Sequence, residues 1–404
     1  SLLNETRAEI CLPPDADGQI LFTLGLDTRT DGFDTNDGYW SNAIVSPRGG
    51  NIWEGWREIR MPAECFYARG IPSGWDGMQS ASISAPAGSR IRNVRLVERE
   101  IVAGPRMPDE TLLQVLNLDH HGLKGAKQSG STEDALHAVA THFRQSTFDR
   151  HLVDIRPGRL GSTGDADRIL EGWALGQDWT GGIDCEANPT GYIEWTLAIH
   201  YLSFLRPVIE AWQQTREPKY ALGLERYIAD WMKRNPVPYG VRGSGYPWGH
   251  SLVGAIRPFS SMVDIFCVLC ECPETGDRTI TDMLKSFWEH EDYLLTFESF
   301  PPSNKTIAEG RTIAALGCAF PEFRQAASWR EEGYRRLLED MRIQVMPDGA
   351  SYELTPGYQM AIASWFLESF QVARKFQYDV DPELEAGIRR MYEWCVSISR
   401  PDFS

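Results

Sequence analysis

The chain has 404 residues, 42% hydrophobic and 24% charged, which is material for two or three domains with an ordinary globular balance. Its net charge of −16 argues against general nucleic-acid binding, which needs a basic footprint, yet leaves room for an anionic sugar in a cleft that focuses positive potential. No apolar run reaches the roughly eighteen residues a membrane span needs, so no membrane partner is expected. No secretory signal pattern is read, and a start at Ser1 instead of Met reads as a processed or engineered form.

Residues 1–103 read as β structure. Gln19–Leu26, Trp56–Met61, Ser82–Ser84 and Arg90–Val97 are strand candidates, and the last alternates polar and apolar residues like a half-buried strand. Gly, Pro, Asn and Asp clusters separate them, which predicts an antiparallel sandwich or jelly roll. Trp40, Trp53, Trp56 and Trp75 would either line a carbohydrate surface or brace the rest of the chain. Asp31, Asp34, Asn36 and Asp37 make an acidic turn, either solvated or holding Ca²⁺, although the full EF-hand pattern is missing.

Ala103-Gly104-Pro105-Arg106 reads as a linker, and residues 104–404 form the second domain. The pattern there has a helical period. Pro108-Asp109-Glu110 and Thr132-Glu133-Asp134 open helices, and Tyr192–Gln214 reads as one long helix. Tyr220, Leu224, Tyr227, Ile228 and Trp231 share one apolar face of a helix that stops at Asn235-Pro236. Further helices fit His250–Cys270, Arg278–Thr296, Thr306–Ala319, Gln325–Val345, Tyr358–Phe376 and Pro382–Ser399. Such hairpins either stack as a solenoid or close as an α/α toroid, and loops rich in Trp, Arg, His and Asn favour a toroid around one cleft. Among the eight cysteines only Cys267, Cys270 and Cys272 cluster, in an apolar run that reads as a buried helix with no metal.

Ser303-Asn304-Lys305 and Thr355-Pro356-Gly357-Tyr358 each stand at the opening of a helix and read as two halves of one active site. From about Leu112 onward the chain resembles the helical domain of the heparinase II/III-like polysaccharide lyases, a domain shared with alginate and oligoalginate lyases. The residues that carry the resemblance are Phe143-Arg144-Gln145, Cys185 through Trp195, Asp230-Trp231, Asn235-Pro236, Trp248-Gly249-His250, Ala255-Ile256-Arg257, Ser303-Asn304, Phe320-Pro321-Glu322-Phe323 and Pro347-Asp348-Gly349 through Tyr358. It implies a jelly roll followed by a toroid, incomplete here because family members continue into a large antiparallel β-sandwich that helps build the cleft. Truncation of a longer enzyme is therefore expected. So is a bacterial periplasmic or secreted location, with the cytoplasm as the alternative.

The resemblance implies β-elimination on an anionic uronate polysaccharide or oligosaccharide, of glycosaminoglycan or alginate type, with no cofactor required. Asn304 would neutralise the uronate carboxylate as charge develops, and Tyr358 would act as general acid and perhaps base. Lys305 stands where many relatives carry a ring or an amide. Tyr246, Trp248, His250 and Arg257 form a second cluster. There Arg257 would fork onto a uronate or sulfate, Trp248 would stack on a ring, and His250 is a candidate base. Glu309 and Glu353 would orient neighbours. A toroid glycoside hydrolase, using Glu309 with Glu353 or Asp178 with Asp184, is the rival enzyme reading. A non-catalytic sugar-binding protein is the rival from another class.

Overall fold

The computed structural model describes residues 5–11, 13, 18–25, 38–45, 56–62, 67–69, 80–97, 107–152, 163–180, 182–185, 187–237, 246–249, 251–296, 299 and 302–399. The chain divides into two compact units. One comprises Ser1–Ala103, Pro236–Ser251 and Asp292–Phe300, and the other Gly104–Asn235, Leu252–Glu291 and Pro301–Ser404.

The first unit holds strands β1 (Glu5–Cys11), β2 (Gly18–Gly25), β3 (Gly38–Val45), β4 (Trp56–Pro62), β5 (Tyr67–Arg69), β6 (Ser80–Ser84) and β7 (Arg90–Val97). They form two antiparallel sheets, ordered β4-β1-β7 and β5-β3-β2-β6. The alternation in β7 predicts a half-buried strand, but Ile91 and Val94 are exposed. Arg90 and Arg92 of this strand lie over the Trp56 ring, 5.4 and 4.0 Å from its centroid, while Arg92 also pairs with Glu9 of β1. Trp56 keeps 37% of its surface exposed and shares its ring face with these guanidinium groups. Trp40 lies on β3. Trp53, Trp75 and the acidic turn at Asp31, Asp34 and Asp37 lie outside the described residues.

Helices follow: α1 (Asp109–Val115), α2 (Lys124–Gln128), α3 (Thr132–Gln145) and α4 (Gly164–Leu170), then a short antiparallel ladder of β8 (Trp173–Ala174) and β9 (Gln177–Asp178). After it come α5 (Ile193–Tyr201), α6 (Arg206–Thr215), α7 (Pro218–Arg234), α8 (Ser251–Arg257), α9 (Val263–Glu271), α10 (Asp277–Thr296), α11 (Asn304–Ala319), α12 (Ala326–Gln344), α13 (Pro356–Lys375) and α14 (Pro382–Ile398). The long helix expected over 192–214 is broken. Leu202 turns left-handed at φ 61°, and a 3₁₀ turn leads into α6, whose first turn carries Pro207. Between α8 and α9, Pro258 offers no N–H, and Pro258–Met262 is wound as a π segment. The run Leu252–Glu271 is long and apolar enough to cross a membrane by length and composition, but 83% of its most apolar 18-residue window is buried inside the fold.

The core around these helices is aromatic. Phe266, Phe287 and Phe320 pack pairwise with centroids 4.7–5.7 Å apart, and Phe143 meets Phe266 edge-on at 5.3 Å. Arg144, next to Phe143, donates to the carbonyls of Leu269 and Cys272 and so closes the C-terminal end of α9. Burial pushes the Cys267 and Cys270 thiols up, the latter to about 12, as for inert core cysteines.

Every residue of α11 from Thr306 to Ala319 is buried. It lies against α12 so closely that a Cβ on Gly333 would stand 2.3 Å from the Ala314 nitrogen. Helix propensity alone would make Gly333→Ala stabilising by about 1 kcal/mol. The backbone contact reverses that sign, and overpacking of this kind costs about 1–3 kcal/mol. Urea unfolding should show a lower midpoint for Gly333→Ala; a higher one would contradict the close approach of α11 and α12.

Candidate functional site

The start of α11 is built by side chains from two helices. Ser303 is the N-cap, and its hydroxyl accepts from the Lys305 N–H at 3.4 Å. Thr306 closes the capping box by accepting from the Ser303 N–H at 3.2 Å. Behind it, the Thr306 hydroxyl lies 2.9 Å from Asp340 Oδ1, and the Gln344 amide donates to the same carboxylate at 2.8 Å and to the Ser303 carbonyl at 3.2 Å. Asp340 and Gln344 both come from α12 and are fully buried. The helix begins at Asn304, two residues before the expected Thr306. Ser303 is therefore the cap, which leaves the Asn304 amide free of that duty. Asn304 and Lys305 are both half-buried.

The start of α13 is built in the same way. Thr355 is the N-cap and accepts from the Tyr358 N–H at 3.3 Å, with Pro356 in the first turn. The loop before it is a tight turn. Gly349 has φ 94°, and a Cβ there would meet the Arg390 carbonyl at 2.2 Å. Buried Gln359 reaches back into this loop, accepting from the Ser351 N–H at 2.5 Å and donating to the Gly349 carbonyl at 3.0 Å. Tyr358 is 49% exposed.

One bond joins the two starts. The Tyr352 hydroxyl donates to the Pro302 carbonyl at 2.9 Å. Tyr352 precedes Glu353 and Pro302 lies two residues before Asn304, so this bond ties the loop ahead of α13 to the loop ahead of α11. Two helix N-termini converge there, each presenting partial positive charge. Burial, with Glu353 and Asp340 nearby, raises the Tyr352 phenol and keeps it a donor. Sequence reading missed Tyr352. Its place after the Pro-Asp-Gly turn was the available signal.

The second cluster is placed differently. Arg257 is wholly buried. Its Nε donates to His290 Nε2 at 2.8 Å, and its guanidinium lies 4.5 Å from the Trp231 ring centroid. Trp231 in turn donates to His200 Nδ1 at 3.3 Å, and His200 Nε2 donates to the Cys185 carbonyl at 3.1 Å. Arg257 is therefore part of an internal polar column and not the open fork onto a uronate or sulfate that the resemblance implies. Trp248 is also buried, edge-on to Tyr293 at 5.1 Å, so its ring is not an open stacking surface. Tyr246 is half-buried in the same turn, and His250 lies outside the described residues. Glu309 is wholly buried in α11, so Glu309 and Glu353 do not offer two open carboxylates to a polymer.

Comparison with known proteins follows the helical unit. The family model for the heparinase II/III N-terminus matches residues 112–404. A heparin-sulfate lyase of Bacteroides stercoris is 24% identical over 322 residues, covering 72% of this chain and 48% of that protein. One of Pedobacter heparinus is 23% identical over 310 residues, covering 72% and 46%. Among solved structures, a heparinase III superposes with a TM-score of 0.65 at 21% identity over 73% of this chain and 48% of the other. Heparan sulfate lyase HepC of Pedobacter heparinus gives 0.61 at 21% identity over 74% and 49%. The chain spans about half the length of these relatives.

The internal column makes stability depend on pH. His200 and His290 each use one ring nitrogen to accept a hydrogen bond, from Trp231 and Arg257. Burial, then the Arg257 charge, lowers His200 from 6.5 to about 4 and His290 well below its ordinary value. The unfolded chain binds these protons first. Their contribution is therefore complete above about pH 6.5 and is lost as pH falls towards 4, at up to about 1.4 kcal/mol per unit for each ring. Urea midpoints should fall between pH 7 and 5, and less steeply in His200→Gln. An identical slope in that variant would show that His200 is not held neutral.

Proposed function

The chain belongs to the heparinase II/III family, whose N-terminal domain it carries over residues 112–404, and on that premise we propose that it provides the helical part of a polysaccharide lyase acting on a glycosaminoglycan by β-elimination. The observation that carries this reading is the bond from Tyr352 to Pro302, which draws the N-termini of α11 and α13 to one place. The names of the relatives, heparin-sulfate lyases, favour a glycosaminoglycan over alginate. In the same reading the two N-terminal sheets close as a jelly roll, the helical hairpins form a toroid, and a β-sandwich like that of longer family members completes the cleft.

Elimination removes the proton on C5 of a uronate, moves that electron pair into a C4–C5 double bond and expels the sugar oxygen at C4. The C5 proton is weakly acidic because the neighbouring carboxylate is already charged. Stabilising the enolate-like dianion is the main task. Asn304, at the first position of α11, supplies an amide donor at the positive end of that helix, and Lys305 adds a full charge. Tyr358 supplies the proton to the departing oxygen, and its exposed position, third in α13, suits that role. His250 stays the candidate base, with Tyr358 itself as the alternative. Glu353 orients neighbours at the rim.

Turnover is read as ultraviolet absorbance of the unsaturated uronate product, which also separates a lyase from a hydrolase. The 404-residue chain and a form extended to the relatives' length are assayed side by side on heparan sulfate. In whichever form turns over, Asn304→Ala should lower kcat by roughly 10²–10³ with a smaller effect on KM. Tyr358→Phe should lower it by about 10²–10⁴ with the urea midpoint unchanged. Saturated products only, or full activity in either folded variant, would reject the assignment.

A further inference from the structure

A different cluster stands at the far end of α11. From Asn304 to Ala319 a helix rise of about 1.5 Å per residue spans roughly 22 Å, and the turn after α11 carries Glu322. A short ladder brings a second segment to that turn. Leu116 bridges Phe323, the Asn117 N–H donates to the Glu322 carbonyl at 2.7 Å, and the Arg324 N–H donates to the Val115 carbonyl at 2.9 Å. The chain then turns through His120-His121-Gly122, and α3 contributes His142 from the other side. The His142 ring is T-shaped to His120, with centroids 5.7 Å apart.

We propose that His120, His142 and Glu322 form a structural binding site for a divalent transition metal, Zn²⁺ being the best fit to two imidazoles and one carboxylate. One ligand atom from each lies within 4.8 Å of the others, and His142 Nε2 is already 2.9 Å from Glu322 Oε1. Around a tetrahedral zinc with bonds of about 2.0–2.1 Å, neighbouring ligand atoms stand roughly 3.3 Å apart. Small side-chain rotations therefore close the site, with water at the fourth position.

Two further observations point to a ligand. His120 Nδ1 is buried and has no hydrogen-bond partner, a cost that direct pairing of His142 with Glu322 does not remove. Arg150 donates to both oxygens of Glu322, at 2.6 and 3.1 Å, which fixes the carboxylate's orientation as a supporting residue does at a metal site. Gly122 is required for the approach, since a Cβ there would stand 1.9 Å from His142 Nδ1. Imidazole and carboxylate together suit zinc, and thiolates are not needed. The ion would fasten the segment before α2 to the α11–α12 turn and would take no part in elimination at the opposite end.

The test uses the 404-residue chain stripped with a chelator and titrated with Co²⁺, then Zn²⁺. The expected result is one tight equivalent with a visible ligand-field band for Co²⁺, and a higher melting temperature with Zn²⁺. His120→Phe, which keeps the ring's bulk, and His142→Gln, which keeps a donor to Glu322, should each weaken binding by at least about 100-fold. They should also abolish the Zn²⁺-dependent rise in melting temperature. Absence of tight binding in the unaltered chain, or equal binding in folded His120→Phe, would overturn the site.

Discussion

The complete burial of α11 against α12 is the constraint from which the candidate site follows. A helix enclosed from Thr306 to Ala319 cannot shift along its axis without displacing the residues packed around it. Gly333 lets the two backbones approach, and the Asp340 carboxylate and Gln344 amide of α12 then grip the α11 cap through Thr306 and Ser303. Asn304 thus stands on a rigid element whose first turn is held by buried hydrogen bonds. Geometry of that kind suits a donor that acts on developing charge.

The chain as a whole is acidic, with a net charge of −16, so an anionic ligand needs a local reason to bind. The paired N-termini of α11 and α13 provide one. Each carries the partial positive charge of a helix start, and Lys305 adds to it. The opposite end of the same helices behaves differently. There Arg144 caps α9, Arg150 is spent on Glu322, and Lys375 pairs with Asp149 in the last turn of α13. Cations at helix C-termini balance the helix dipole, and most of their charge is already committed to carboxylates and carbonyls.

Helix bounds were legible wherever capping chemistry is local. Thr355-Pro356 and Pro382 mark starts to within two residues, because a cap or a proline acts on its own turn. The break at Leu202 was not legible, since a leucine in the left-handed region carries no composition signal. Nor was the face that Arg257 and Trp248 present. Arg257 pairs with His290, 33 residues away, and only the packed fold brings them together. Charge and aromaticity mark a residue as notable without saying whether it faces a cleft or a core. At the candidate site, residue chemistry picked out Asn304 and Tyr358, but their specific roles came from family resemblance. The link made by Tyr352 became visible only in three dimensions.

The claim that the starts of α11 and α13 form one binding site is tested most directly by amide hydrogen exchange, with and without a heparan sulfate oligosaccharide. The expected result is slowed exchange confined to the first turn of α11 and to residues 352–360, in both segments at the same oligosaccharide concentration. Protection of only one of them, or protection at Phe148–His151 and the C-terminal end of α13 instead, would contradict it.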